Sequence, residues 1–326
     1  VIGKDDPAVL VVVDNCGITK EIRSKLAGRI AEFGVSEKNL VVAATHTHNA
    51  PSLRGYAPIL WAGRTSPEQE KRIDKYTSFL IDKMESIVIE ALKNRELMNL
   101  SWIRGSVRFG GNRRVIRNGK WSGFGFQRNG PVDHSLPVLV ARDLKGEARV
   151  VWSNYACHCT TVGGRNHISG DWAGYANEMI EKDFKSALSL MTIGCGADVG
   201  PQPSGGLEDA KIHGSSIAKE VKNLLGKEMI PLPGVTSVKG SIAKLPLAKP
   251  LPRKHWESQI NVGGFQGQLA KAMLNQIDST GRISSEVEYP VQSWNFGDRL
   301  AMVFLAGEVV VDYSVRLNAE LDWKRL

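Results

Sequence analysis

Leu40-Val41-Val42-Ala43-Ala44-Thr45-His46-Thr47-His48-Asn49-Ala50-Pro51 reads as a buried strand that stops at two histidines. Its apolar, β-branched run is continuous, as in a strand covered on both faces, and Asn-Ala-Pro ends it. Alternate side chains of an extended backbone share a face, so His46 and His48 are expected to point the same way, about 7 Å apart along the strand. Neutral imidazole is the commonest protein ligand for zinc. The same pair could cap a strand through hydrogen bonds, and the motif alone leaves both readings open.

Upstream, Val9 to Val13 is a second short apolar run, followed by Asp14-Asn15-Cys16-Gly17. Thr19 has the chemistry of an N-cap, and Ile22, Leu26, Ile30 and Phe33 recur at helical spacing up to Gly34. Strand, helix and strand form a parallel β-α-β unit. Its second strand delivers both histidines to the carboxyl edge of the sheet, where open α/β sheets place ligands.

Downstream, Ser66-Pro67-Glu68 opens an amphipathic helix to about Lys93. Leu100 to Phe109 reads as a strand entering Gly110-Gly111-Asn112-Arg113-Arg114, where the glycines permit a close backbone approach and Arg113 can hold a polarised oxygen or a carboxylate. Leu136 to Arg142 and Ala148 to Asn154 read as a strand pair, and the second runs into Cys157-His158-Cys159. Alternation puts His158 opposite the two cysteines, which leaves it as a candidate ligand and them as packing residues. Asp171, after Ser169-Gly170, is either an N-cap or a carboxylate that orients a ligand histidine. The strand Ser189 to Ile193 feeds Gly194-Cys195-Gly196-Ala197-Asp198-Val199-Gly200-Pro201, a glycine-dense loop suited to an oxyanion. Leu207 to Leu225 and about His255 to Ile277 read as helices, and Val235 to Leu245 as extended chain. Glu286 to Trp294 and Leu300 to Leu305 read as a hairpin that ends in Ala306-Gly307-Glu308, a carboxylate at a strand end. The predicted class is α/β, a mixed sheet flanked by helices with a metal site at strand carboxyl ends.

Composition narrows the function. With 42% apolar and 23% charged residues the 326-residue chain is ordinary globular protein, here read as one domain. No apolar run reaches the roughly 18 residues of a transmembrane segment. Four cysteines without zinc-ribbon spacing exclude a disulfide scaffold. A net charge of +8 attracts polyanions. The absence of a nucleic-acid motif or a basic-aromatic ladder argues against nucleic acid and leaves a small molecule, a lipid or an acidic oligosaccharide open as partner, beside the plain reading of a solvated basic surface.

In this order and approximate spacing, His46-Thr47-His48-x-x-Pro51, Asn112-Arg113, His158, Gly170-Asp171-x-x-Gly174-Tyr175, Gly196-x-Asp198-x-x-Pro201 and Gly307-Glu308 resemble the neutral/alkaline non-lysosomal ceramidase family, from about Val9 to Leu317. The resemblance implies a zinc-dependent amidohydrolase, periplasmic or secreted, with Zn²⁺ on His46, His158 and Glu308. His48 and Arg113 would hold the scissile carbonyl, and Asp198 would be the acidic residue of the nucleophile loop. Asn112, Asp171 and Gly200 would line the substrate site.

The departures from the family pattern also direct the reading. Gly200 stands where the family has its serine nucleophile, and Asn49-Ala50 replaces Ser-Gly. The family's tyrosine ligand would fall beyond Leu326, and the first residues look like a strand entered partway, so the sequence is expected to be cut at both ends. Three functions follow. The first is a zinc hydrolase that uses water without serine. The second is a metal-dependent lyase or glycosidase on acidic glycans, and the third a metal-stabilised binding protein without chemistry.

Overall fold

The structure is a computed structural model that describes residues 1–321. Strands and helices are mixed along its whole described length. β1 (Val9–Val13), α1 (Lys20–Ile30) and β2 (Leu40–Ala44) come first, then α2 (Pro58–Trp61) and α3 (Pro67–Lys93). β3 (Asn99–Ser106), β4 (Gly110–Asn112), β5 (Arg114–Arg117), β6 (Lys120–Phe124), β7 (Ser135–Arg142) and β8 (Ala148–Tyr155) follow. α4 (Asp171–Asp183), β9 (Leu188–Ile193), β10 (Val199–Pro201), α5 (Leu207–Leu225) and β11 (Ile230–Leu232) come next. The last elements are β12 (Ser237–Pro246), α6 (Arg253–Gln259), α7 (Gly264–Thr280), β13 (Glu286–Phe296), β14 (Leu300–Leu305) and α8 (Val311–Glu320).

The chain divides into two compact units. One takes in Val1–Pro51, Ile81–Lys239 and the described chain from Gln292; the other takes in Ser52–Leu80 and Gly240–Val291. In the first unit β1 and β2 pair in parallel, Val9 beside Leu40 through Val13 beside Ala44, as their unbroken apolar runs predict. Thr19 caps α1, its Oγ1 accepting the Ile22 N–H at 3.3 Å.

The main sheet of that unit runs β11–β3–β7–β8–β9, antiparallel except for the parallel pair β8–β9. It is mixed, as expected, and the described residues also form the shorter sheets β1–β2, β10–β4, β5–β6 and β12–β13–β14. Strand alternation gives it two buried faces. Leu136, Val138, Val140 and Val151 pack with Trp172, Ala176 and Ile180 of α4 and with Ile217, Val221 and Leu224 of α5. Leu139 and Trp152 pack on the other face with Trp102, Trp294 and Phe296. Full burial of each large apolar side chain contributes roughly 1.5 to 3 kcal/mol, so two such layers make the sheet a rigid base for the loops at its strand ends.

In the second unit, α3 starts with a reciprocal cap. The Gln69 N–H donates to Ser66 Oγ at 3.2 Å and the Ser66 N–H to Gln69 Oε1 at 2.8 Å. Arg54 pairs with Glu70 and Asp74 on the same helix, and Ala270 and Leu274 are buried on α7. One long helix predicted from His255 to Ile277 is instead two, parted at Gly263-Gly264, where Gly264 has φ 69°. Among the described residues no helix is long and apolar enough to cross a membrane.

Candidate metal centre

β2 stops at Ala44, before the histidines. The Thr45 N–H still donates to Val13 O at 3.0 Å, and His46 then turns the chain with φ 58°. That left-handed conformation costs a non-glycine residue of the order of 1 kcal/mol, and the neighbouring bonds hold it. Thr47 bridges to Cys159 in parallel, the His48 N–H donates to Cys159 O at 3.3 Å, and Thr47 Oγ1 donates to Ser169 O at 2.6 Å. The expectation that two extended residues would hold the imidazoles about 7 Å apart is therefore corrected. The turn at His46 brings the two Nε2 atoms to 3.3 Å.

The same stitching lays His46 beside His158, ring edge to face, with centroids 4.6 Å apart. His158 follows β8 by three residues and is buried; its N–H donates to Val199 O and its carbonyl accepts the Trp172 indole N–H. Glu308 follows β14 and Gly307, whose φ of 76° turns the chain. Its half-exposed carboxylate lies between the histidines, Oε1 at 3.5 Å from His46 Nε2 and Oε2 at 3.3 Å from His158 Nε2. All three candidate ligands thus come from segments just beyond strand ends.

Each imidazole is fixed through its other nitrogen. His46 Nδ1 lies 2.5 Å from Cys16 O, and His158 Nδ1 lies 2.7 Å from Gly196 O. A carbonyl only accepts, so both rings carry a proton on Nδ1 and turn Nε2 toward Glu308, where it donates to the carboxylate when protonated and offers a lone pair to a cation once that proton has left. The ligand atoms of His46, His158 and Glu308 lie within 4.8 Å of one another. The 3.3 and 3.5 Å separations match the edge of a tetrahedron around a cation with bonds of about 2.0–2.1 Å. This donor set fits Zn²⁺.

Proton equilibria around the centre follow from the same contacts. Hydrogen bonds from His158 and His46 hold the Glu308 carboxyl far below the usual carboxylate range. Burial opposes a charge on His46, but its contacts with the Cys16 side chain, whose Sγ lies 3.9 Å from Nδ1, and with Glu308 outweigh burial and push its pKa up to about 10. Burial dominates at His158 and lowers its pKa.

Arg113 leaves β4 directly beside these ligands. Its Nη2 is 2.8 Å from His158 Nε2, and Nε and Nη2 donate to Ala197 O at 3.1 and 2.7 Å. The guanidinium lies over the Phe124 ring, 5.2 Å from the centroid. Burial and the neighbouring Arg114 lower its pKa. The glycines before it have specific partners. A Cβ on Gly110 would stand 3.0 Å from Tyr155 Oη, and one on Gly111 would meet the Phe126 ring at 2.6 Å.

The remaining predicted site residues lie a layer back. Asp198 is buried; its Oδ1 accepts the Val311 N–H at 2.8 Å and its Oδ2 an Asn112 N–H at 3.3 Å. Asn112 also donates to Pro131 O and accepts from the Arg114 N–H, so its whole amide is committed to the backbone and Asp198. Asp171 is neither the N-cap of α4 nor a partner of a ligand histidine. Fully buried, it accepts the Val162 N–H at 2.9 Å on Oδ2 and the Trp172 N–H at 2.7 Å on Oδ1. The structure places it as a tether for the loop after His158, buried out of reach of substrate. Gly200 pairs with Gly111 in the β10–β4 ladder, and a Cβ there would be 3.5 Å from Arg113 Cδ.

One neighbour escaped the sequence reading. Cys16, His46 and His48 form a second group whose ligand atoms lie within 4.8 Å of one another. The available signal was topological, since Cys16 follows β1, the parallel neighbour of β2, and must emerge beside its end.

Comparison with known proteins follows the same lines. Residues 1–210 match the family model described as neutral/alkaline non-lysosomal ceramidase, N-terminal. Neutral ceramidase B of Dictyostelium discoideum is 28% identical over 190 residues, 54% of this chain and 25% of that protein. Neutral ceramidase A of the same organism is 26% identical over 201 residues, 57% of this chain and 26% of that protein. The chain spans about a quarter of the length of these relatives. Two solved structures share its fold at 16% identity over 95% of this chain. One, described as a ceramidase complexed with C2, has a TM-score of 0.63 with 57% of that chain covered; the other, neutral ceramidase from Pseudomonas aeruginosa, has 0.62 with 56% covered.

Proposed function

The chain belongs to the neutral/alkaline non-lysosomal ceramidase family, and from that premise we propose a zinc-dependent hydrolase that cleaves an amide or related bond with water and without a serine nucleophile. The observation that carries the reading is the Glu308 carboxylate between two Nε2 atoms whose rings are held by backbone carbonyls. Two histidines and a carboxylate that leave a coordination position open are the usual construction of a catalytic zinc site. Bound there, the cation supplies Lewis acidity toward a carbonyl and toward water.

The chain's own groups account for the rest. Arg113 carries N–H donors beside the ligands, in a half-buried position where a hydrogen bond to an oxygen gaining charge is worth more than in water. His48, exposed and 3.3 Å from His46, can hold a proton at Nε2 next to a substrate oxygen or a departing nitrogen. Asp198 and Asn112 fix the Arg113 segment, whose N–H donates to Asp198 O at 2.7 Å. No hydroxyl or thiol lies from Ala197 to Gly200, so an acyl-enzyme of the serine type has no side chain to form on in that segment.

The direct test is hydrolysis of an N-acylsphingosine by purified chain, with metal content measured alongside. Activity that is lost to a chelator and restored by Zn²⁺ is expected. Chelator-resistant hydrolysis would sink the reading.

A further inference from the structure

From Arg108 to Val132 the chain carries six cations, Arg108, Arg113, Arg114, Arg117, Lys120 and Arg128, and no Asp or Glu. Among the described residues none of the six forms a salt bridge. The fold concentrates them. β5 and β6 form a hairpin, Arg113 and Arg114 both lie over Phe124 at 5.2 and 4.8 Å, and Trp121 meets that ring edge-on at 5.8 Å. Arg108 and Arg128 line one cleft of about 410 Å³ with Phe126 and His134, whose buried Nδ1 has no hydrogen-bond partner among the described residues. Arg113 of the strip lies 2.8 Å from His158 Nε2, so the strip reaches the candidate metal centre.

Unpaired like charges kept side by side cost stability unless an anion uses them. Guanidinium forks match carboxylate, sulfate and phosphate geometry, and stacking on Phe124 limits the freedom that two of them lose on binding. We propose that this strip is a substrate subsite for an oxyanion, so that the bond cleaved at the metal centre belongs to a molecule carrying a carboxylate, sulfate or phosphate. The proposal rests on the hydrolase reading for the chemistry but not for the binding. The anion can belong to a lipid headgroup or to an acidic sugar.

The test uses two matched pairs, an N-acylsphingosine with its 1-phosphate and a hexuronic acid trisaccharide with its methyl ester. Calorimetry on the chelator-treated chain gives affinities without turnover, and steady-state kinetics on the Zn²⁺-loaded chain gives rates. The anionic member of at least one pair is expected to bind tenfold tighter or better than its neutral partner, and less so as salt is raised. The pair that shows the preference identifies the source of the anion. Replacing Arg114→Gln, Arg117→Gln and Arg128→Gln together should abolish it, whereas Lys249→Gln, Lys254→Gln and Lys271→Gln, which remove equal charge elsewhere, should leave it intact. Equal affinities within both pairs overturn the proposal, as does a preference that survives the arginine triple variant or disappears in the lysine one. Preferential binding with no hydrolysis at any metal loading would sink the hydrolase reading and leave the subsite standing. Hydrolysis without charge preference would do the reverse.

Discussion

Replacing Arg113 with alanine should separate catalysis from metal binding. The guanidinium makes two bonds to Ala197 O, approaches His158 Nε2 at 2.8 Å and lies over Phe124. Losing a charge-assisted bond to a carbonyl costs about 1.5–3 kcal/mol and the ring contact about 0.5–1 kcal/mol. Releasing a half-buried charge offsets part of this. A net loss of roughly 1–3 kcal/mol lowers the melting midpoint by several degrees, and the chain should still fold. The rate effect is larger. A donor aimed at developing charge is worth about 10² to 10³ in kcat, and Arg113→Lys, a point charge without the fork, should fall between. Zinc content should stay at the wild-type level or rise, because the variant removes a donor that competes for the His158 Nε2 lone pair. Elemental analysis, thermal melts and a split of KM from kcat on one preparation settle the matter. If metal is lost in proportion to activity, Arg113 orders the ligands and does not act on substrate. Unchanged kinetics would place the active site elsewhere.

Three further outcomes are expected. His158→Ala and Glu308→Gln should each lose most of the bound metal at micromolar Zn²⁺, and wild-type content by elemental analysis in either would remove that residue from the ligand set. In the metal-free chain His46 keeps its proton up to about pH 10, so a cation must displace that proton at neutral pH. Affinity should therefore rise about tenfold per unit as pH increases toward 10 and fall as pH decreases. Calorimetry at pH 7 in buffers of different ionisation enthalpy should show about one proton released, and none released would contradict the assignment. Gly200→Ser should fold with a stability change within about 1 kcal/mol, because its Cβ would meet Arg113 at an ordinary 3.5 and 3.8 Å. An acylating or phosphonylating probe should then label residue 200 in the variant, and a label between Ala197 and Gly200 in the wild type would refute the serine-free reading.

Local features of the fold were legible in the sequence. The apolar runs of β1 and β2, the Thr19 cap and the helix Leu207–Leu225 all rest on nearest-neighbour chemistry. The β5–β6 hairpin was missed although its signal is present. Asn118-Gly119, with φ of 51° and 72°, is the residue pair that a tight hairpin turn favours. The His46–His48 spacing was misjudged because alternation holds only while a strand continues, and a strand's end is set by its neighbours. Asp171 was misread for a related reason: it has the chemistry of a cap, but which amides it meets depends on a loop nine residues earlier. Convergence of residues 46, 158 and 308 is a property of topology, and local spacing carries no trace of it.

The imidazoles are oriented by main-chain oxygens, and this decides how the centre responds to inherited variation. Where carboxylate side chains orient ligands, one codon change can remove an orienting group. No side-chain replacement deletes the carbonyl of residue 16 or 196, so the bond that orients His46 survives any replacement at position 16 that keeps the turn after β1, even one that changes the charge balance of the ring through the lost thiol. Position 196 has no such freedom. A Cβ on Gly196 would stand 2.7 Å from the Cys157 nitrogen and 2.9 Å from the Ala156 carbonyl carbon, so even alanine must move the backbone that holds His158. Mutational fragility is thereby moved from the polar groups around the metal to a glycine that bears no functional group.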